Sequence, residues 1–224
     1  MPSTHPSHHP TDLAQLGLST ELFDDVVEYA TAQARACSEY DGPAMAGTTF
    51  WSRSNRRLAE ILTNKKKTNP PWKYTRRDSI LRSVHPSGSH AITAMSGHGG
   101  VGNPNAKIRA KNPKGRAMAH LVENNAKFEE QTGQGVFYSN DDLEFGRELD
   151  DIPLWFFLYE RGKNGLLAAE LCLPVKMNGK FVNEWSTRIT VFTDKTDPGI
   201  DVSLLDKAEE TTTEVSVNLN QNQA

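Results

Sequence analysis

The segment Leu154-Trp155-Phe156-Phe157-Leu158-Tyr159-Glu160 contains the longest unbroken apolar run in the chain, and its reading decides the fold. Six apolar residues fit one strand and fall far short of a membrane span. Trp155, Phe157 and Tyr159 occupy one alternating face and Leu154, Phe156 and Leu158 the other, so both faces need cover. That pattern predicts a central strand with a layer packed on each side. Downstream, Leu166–Val175 reads as a second strand and Phe181–Phe192 as a third. Arg161–Gly165 forms the first turn, and Met177-Asn178-Gly179-Lys180 the second, with the Asn-Gly hairpin signature. The result is a meander over 154–192.

Working upstream, Ile80–Val84 and Ala91–Met95 flank Pro86-Ser87-Gly88-Ser89, a four-residue turn, and predict a hairpin over 80–96. Its register sets His85 opposite His90, about 5 Å apart at Cβ, close enough to share a proton, a phosphate or a metal. Residues 19–38 carry apolar side chains at three- and four-residue steps with Ser19 or Thr20 as N-cap, and 45–63 do so with a basic side, so two helices are expected. Residues 117–130 suit a helix or a strand equally. The expected fold class is α+β: N-terminal helices packed on a mainly antiparallel sheet, made of hairpin 80–96 and meander 154–192. The expected organisation is a disordered tail over 1–11, a single domain over 12–200, and a polar C-terminal tail over 201–224.

Cys37 and Cys172, the only two cysteines, have no CxxC spacing, which argues against structural zinc. The first thirty residues hold no apolar signal core, and no run reaches membrane length, so a soluble cytoplasmic protein without membrane contact is expected.

Charge is the most unevenly distributed property. The chain carries a net charge of −3, yet fifteen of its 25 basic residues fall between Arg53 and Arg116 with only two acids, Glu60 and Asp78. That span is therefore +13 and the remainder −16. Tight cationic clusters point to an external polyanion that neutralises them. The expected contacts are Arg56, Arg57, Lys65, Lys66, Lys67, Arg76 and Arg77, followed by Lys107, Arg109, Lys111, Lys114 and Arg116. Internal neutralisation by the chain's own acids is the opposing account. Trp51, Trp72 and Tyr74 interleave with these cations and offer either stacking surfaces for bases or core.

Between the hairpin and the second basic cluster lies Gly97-His98-Gly99-Gly100-Val101-Gly102, with four glycines in six residues. Exposed N–H groups here suit an anion, and the 96–116 loop is expected to project from the sheet and order on a phosphate. It matches neither a P-loop nor a dinucleotide fingerprint.

Catalytic signatures are sparse. No acid is followed by lysine at the second position, so the restriction-type nuclease motif is absent. A degenerate set of Asp150 or Asp151 with Glu160, Glu170 and Lys176 is stretched out: a turn centred on Lys163 places Glu170 opposite Phe156, about 13 Å from Glu160. Glu170 is the lone charge in Leu166–Leu173, which fits a general base, a metal ligand, or a buried partner of an arginine such as Arg188. Glu170, Glu160, His90 and His98 are the catalytic candidates, with His98 as a base near a bound phosphate.

The function expected from the sequence is nucleic-acid binding, DNA or RNA, through phosphates along the basic centre. Its sharper variant is a phosphodiesterase, a nuclease using Mg²⁺. The alternatives are a non-enzymatic interaction protein with an acidic partner, and an enzyme acting on a small phosphorylated metabolite.

Overall fold

Residues 12–133, 149–162 and 166–196 are described in a computed structural model. The tails expected at 1–11 and 201–224 lie outside the described residues. Among the described residues, three α-helices, α1 (Thr20–Arg35), α2 (Met45–Leu62) and α3 (Arg116–Gly133), accompany seven strands. These are β1 (Lys73–Arg77), β2 (Ile80–Val84), β3 (Ala91–His98), β4 (Arg109–Ala110), β5 (Leu154–Arg161), β6 (Leu166–Asn178) and β7 (Phe181–Thr196).

The sheet order is β1-β2-β3-β5-β6-β7, with β4 paired to the end of β3. All neighbours are antiparallel except β3 and β5, which run parallel from Ala91↔Leu154 to Ser96↔Tyr159. The fold is α+β, as the patterning predicts. The two-sided apolar character of β5 is satisfied from both directions. Trp155, Phe157 and Tyr159 meet α1 and α2, with Phe23 stacked on Phe157 at 4.5 Å and Phe50 edge-on to Tyr159 at 4.7 Å. Leu154, Phe156 and Leu158 meet α3 and the 99–115 segment through Met118, Leu121, Val122, Val101, Ile108 and Ala110.

Several boundaries differ from expectation. Helix α1 starts where Ser19 caps it, its Oγ accepting from the Leu22 N–H, and ends at Arg35, short of the expected residue 38. Lys73–Arg77 is a strand, joined to β2 by a two-residue turn whose Asp78 and Ser79 both have positive φ, the conformation of a tight hairpin turn. Residues 117–130 are helical. The Gly-rich segment does not project: Val101, Ile108 and Ala110 are buried, and the chain lies across the sheet as part of its cover.

Helix side chains also complete the sheet. Pairing of β2 with β3 stops after Ser83↔Ile92, and Asn55 of α2 takes over. Its Oδ1 accepts the Ala94 N–H at 2.9 Å while its Nδ2 donates to the Ala94 carbonyl at 3.1 Å. Asn125 of α3 treats Leu154 the same way, at 2.9 and 3.0 Å.

Candidate functional site

The glycine-rich loop does hold anions, but they are the protein's own carboxylates. The parallel β3–β5 pairing brings the end of β5 beside Gly97–Val101. Glu160 there accepts the N–H groups of Gly99 at 3.1 Å and of Gly100 and Val101 at 2.7 Å each. Glu170 accepts the Gly102 N–H at 2.6 Å and the Arg188 Nε and Nη2 at 2.6 and 2.7 Å. Arg188 in turn donates to the carbonyls of Asn103, Pro104 and Ala106, so it clamps the rest of the loop. Gly102 has φ +89° and lies against Ala168 and Thr193, where a Cβ would be crowded.

A phosphate cradle is thus not what this loop offers, since its amides already bind carboxylates. The register is the physical reason: Glu170 pairs with Leu158 and not Phe156. That places it two rungs from Glu160, about 7 Å along the strand, on the same sheet face beneath the loop. Of the three roles weighed for Glu170, the arginine partner is the one the geometry displays.

The remaining acids of the degenerate nuclease set lie elsewhere. Asp150 precedes β5, the opposite end from Glu160, and holds Arg82 at 2.9 Å and Arg77 at 3.1 Å. Lys176 pairs with Glu184 on the surface. Among the described residues no three His, Cys, Asp or Glu side chains stand close enough to share an ion. His98 is exposed, its Nδ1 3.7 Å from Glu160.

The hairpin histidines meet as the register predicts, stacked at 4.8 Å with Trp72 edge-on to both. His90 Nε2 lies 3.2 Å from the Leu16 carbonyl, which can only accept, so Nε2 carries the proton. The Nδ1 of the neutral ring then accepts from Ser89 Oγ at 2.9 Å. Ser87 Oγ donates to Ser89 Oγ at 2.9 Å and lies 2.7 Å from His85 Nδ1, which accepts the Ser87 backbone N–H at 3.3 Å. Burial, then the neighbouring His85, lowers the His90 pKa to about 3, and burial lowers that of His85. Trp72 is core, 4% exposed.

The basic residues are not one surface. Arg57 and Lys67 bind Asp25 at 2.6 and 3.2 Å, and Arg57 lies over Tyr29. The Arg57 hydrogen bond holds the Asp25 carboxyl below its usual range. Arg82 is buried against Asp150. Arg109 stacks on Phe181 at 4.6 Å, and the Lys114 N–H donates to the Lys180 carbonyl at 2.7 Å, which sets both beside the start of β7. Strands β1 and β7 are opposite edges of the sheet, five strand spacings or about 24 Å apart. Charge contiguous along the chain is therefore divided across the fold and partly neutralised within it.

What remains together is a rim around β1. Lys65, Lys66, Lys73 and Arg76 are exposed and make no ion pair among the described residues. Arg56 has only the exposed Glu60, an (i, i+4) pair of small energetic weight that a phosphate can replace. Tyr74, between these cations, is 64% exposed. The strand that displays it was missed in the sequence, although Lys73-Tyr74-Thr75-Arg76-Arg77 followed by Asp78-Ser79 has the alternation and turn residues of a hairpin arm. No protein-family model matches the chain, and comparison with curated proteins and with solved structures finds no significant similarity.

Proposed function

We propose that this chain binds nucleic acid by phosphate contacts along the rim formed by β1, the 64–68 turn and the exposed side of α2. The observation that carries the reading is the set Lys65, Lys66, Lys73 and Arg76, all exposed and none opposed by an acid among the described residues. An edge strand gains from cationic side chains in any protein, because they discourage pairing with other strands. The additional turn lysines, and Arg56 on the adjacent helix, extend the charge beyond what edge protection requires. The 107–116 cluster belongs to the opposite side of the sheet and is not part of this rim. The reading is one of binding and assigns no reaction, because Glu160 and Glu170 hold the loop and Asp150 holds two arginines.

Fluorescence anisotropy of a labelled oligonucleotide against salt tests it. Four contacts to a single strand correspond to a slope of about −3 in log K against log salt. Lys73→Glu with Arg76→Glu should weaken binding at least tenfold at about 50 mM salt. Arg116→Glu, at the far side, should leave it unchanged and will fold, since an acid suits the first turn of α3. No retention of DNA or RNA at that salt, or equal losses from the near and far variants, overturns the reading.

A further inference from the structure

The helical layer ends abruptly beside the rim, and that step bears on which form of nucleic acid fits. Tyr74, Ser83 and Ile92 are opposite one another across β1, β2 and β3, so their side chains share the face covered by α1 and α2. Ser83 is fully buried, whereas Tyr74, one strand further out, is 64% exposed. The cover thus stops between β2 and β1. It leaves a shelf one strand wide, about 5 Å, on which Tyr74 and Arg76 stand beside α2. Trp51 of α2 is 38% exposed on the same face, its Nε1 donating to the Ala94 carbonyl at 3.0 Å. That anchor sets it about two strand spacings, or 10 Å, from β1.

We infer that the rim selects single-stranded nucleic acid, with an unpaired base stacked on Tyr74 and its flanking phosphates on Arg76 and the turn lysines, while Lys73 adds charge from the other face of the same edge strand. The inference rests on the binding proposed above and names its substrate class. Base-paired DNA buries its base faces in its own stack, so an exposed tyrosine ring adds nothing to duplex binding. Cations alone attract either form. A ring standing beside Arg76 on an open shelf adds affinity only where a base is free to leave the stack. Alternate residues of an edge strand also present free N–H and C=O groups outward, within reach of a base edge or phosphate. An acidic protein would use the same cations but has no base for the ring.

Anisotropy titrations of the full chain with oligothymidylate, oligouridylate and a mixed-sequence DNA duplex of equal length decide the matter. Both single strands should bind more tightly than the duplex. Tyr74→Ala should weaken single-strand binding about tenfold and leave duplex binding unchanged, while Tyr74→Phe, which keeps the ring, should restore it. Trp51 is the most exposed tryptophan, so single-strand binding should also quench its emission, and Trp51→Phe should abolish that signal. Duplex binding equal to or tighter than single-strand binding, or indifference to Tyr74→Ala, overturns the inference and leaves phosphate binding standing. No binding to any of the three overturns both. Tyr74 is exposed, so an unchanged thermal melt certifies that the variants are folded.

Discussion

Asn55 binds both the N–H and the carbonyl of Ala94, so one side-chain amide from α2 stands in for the neighbouring strand where β2 leaves β3. The same Oδ1 accepts from Thr93 Oγ1, and Nδ2 also donates to the Trp51 carbonyl. An open strand position in a buried setting requires such a partner, because an unsatisfied buried amide or carbonyl costs about 1–3 kcal/mol. Asn55→Leu should therefore destabilise the protein by about 2–4 kcal/mol. Asn55→Asp should also be harmful, since a carboxylate cannot donate to the two carbonyls. Urea titration at neutral pH measures both, and losses under about 0.5 kcal/mol would show that the pairing is incidental.

Glu170 is 1% exposed and is matched to Arg188, which also fastens the loop carbonyls. Glu170→Gln keeps the volume but leaves the arginine without its counter-charge and presents an NH₂ where the loop or arginine needs an acceptor. A loss of about 3–5 kcal/mol is expected, with oligonucleotide affinity of the folded fraction unchanged. An altered affinity at full stability would instead return Glu170 to the candidate site.

Asp150 links the start of β5 to the β1–β2 hairpin through Arg82 and Arg77. Arg82 is almost fully buried, so Asp150→Asn strands a charge in the interior. The cost should approach the 3–5 kcal/mol typical of a broken buried pair. Arg77→Ala, at an exposed position, should cost less than about 1 kcal/mol. Comparable losses in the two variants would refute the distinction.

The paired imidazoles make stability depend on pH in a definite direction. His90 titrates near 3 when folded and near its ordinary value of 6.5 when unfolded, and His85 is also lowered. The unfolded chain therefore takes up protons first as the solution is acidified. Stability is level above about pH 6.5 and falls below it, by about 2 kcal/mol at pH 5 from His90 alone. The Leu16 carbonyl and the Ser89 hydroxyl leave no position for a second ring proton without breaking a bond. His90→Gln should lower stability at pH 7 and flatten its change between pH 7 and 5. Parallel denaturant midpoints for the two proteins across that range would remove His90 as the cause.

The layered character of the fold was legible in β5, because alternation along a strand reports directly which faces are buried. The histidine pair was legible as well, since a short hairpin fixes its register locally. The parallel neighbour of β5 was not, because nothing in the composition of Ala91–His98 or Leu154–Arg161 states which strands become adjacent. Glu170 was singled out for its isolation in an apolar strand and Glu160 as a member of a degenerate nuclease set, but their separation was overestimated by two rungs through a misplaced turn. Asn55 and Asn125 carried no signal at all, since a polar residue inside an amphipathic helix reads as ordinary until its backbone partner is known.

The α+β class, the two-sided central strand, the hairpin at 80–96 and the concentration of positive charge between Arg53 and Arg116 follow from residue order alone. Each is a property of residues near one another along the chain, where side-chain period and turn chemistry act. Which cations remain facing solvent, which meet Asp25 or Asp150, and whose carboxylates fill the glycine loop depend on the folded arrangement. Neutralisation and burial depend on which distant segments the sheet brings within a few ångströms, and strand order, set by the packing of both faces at once, makes that choice.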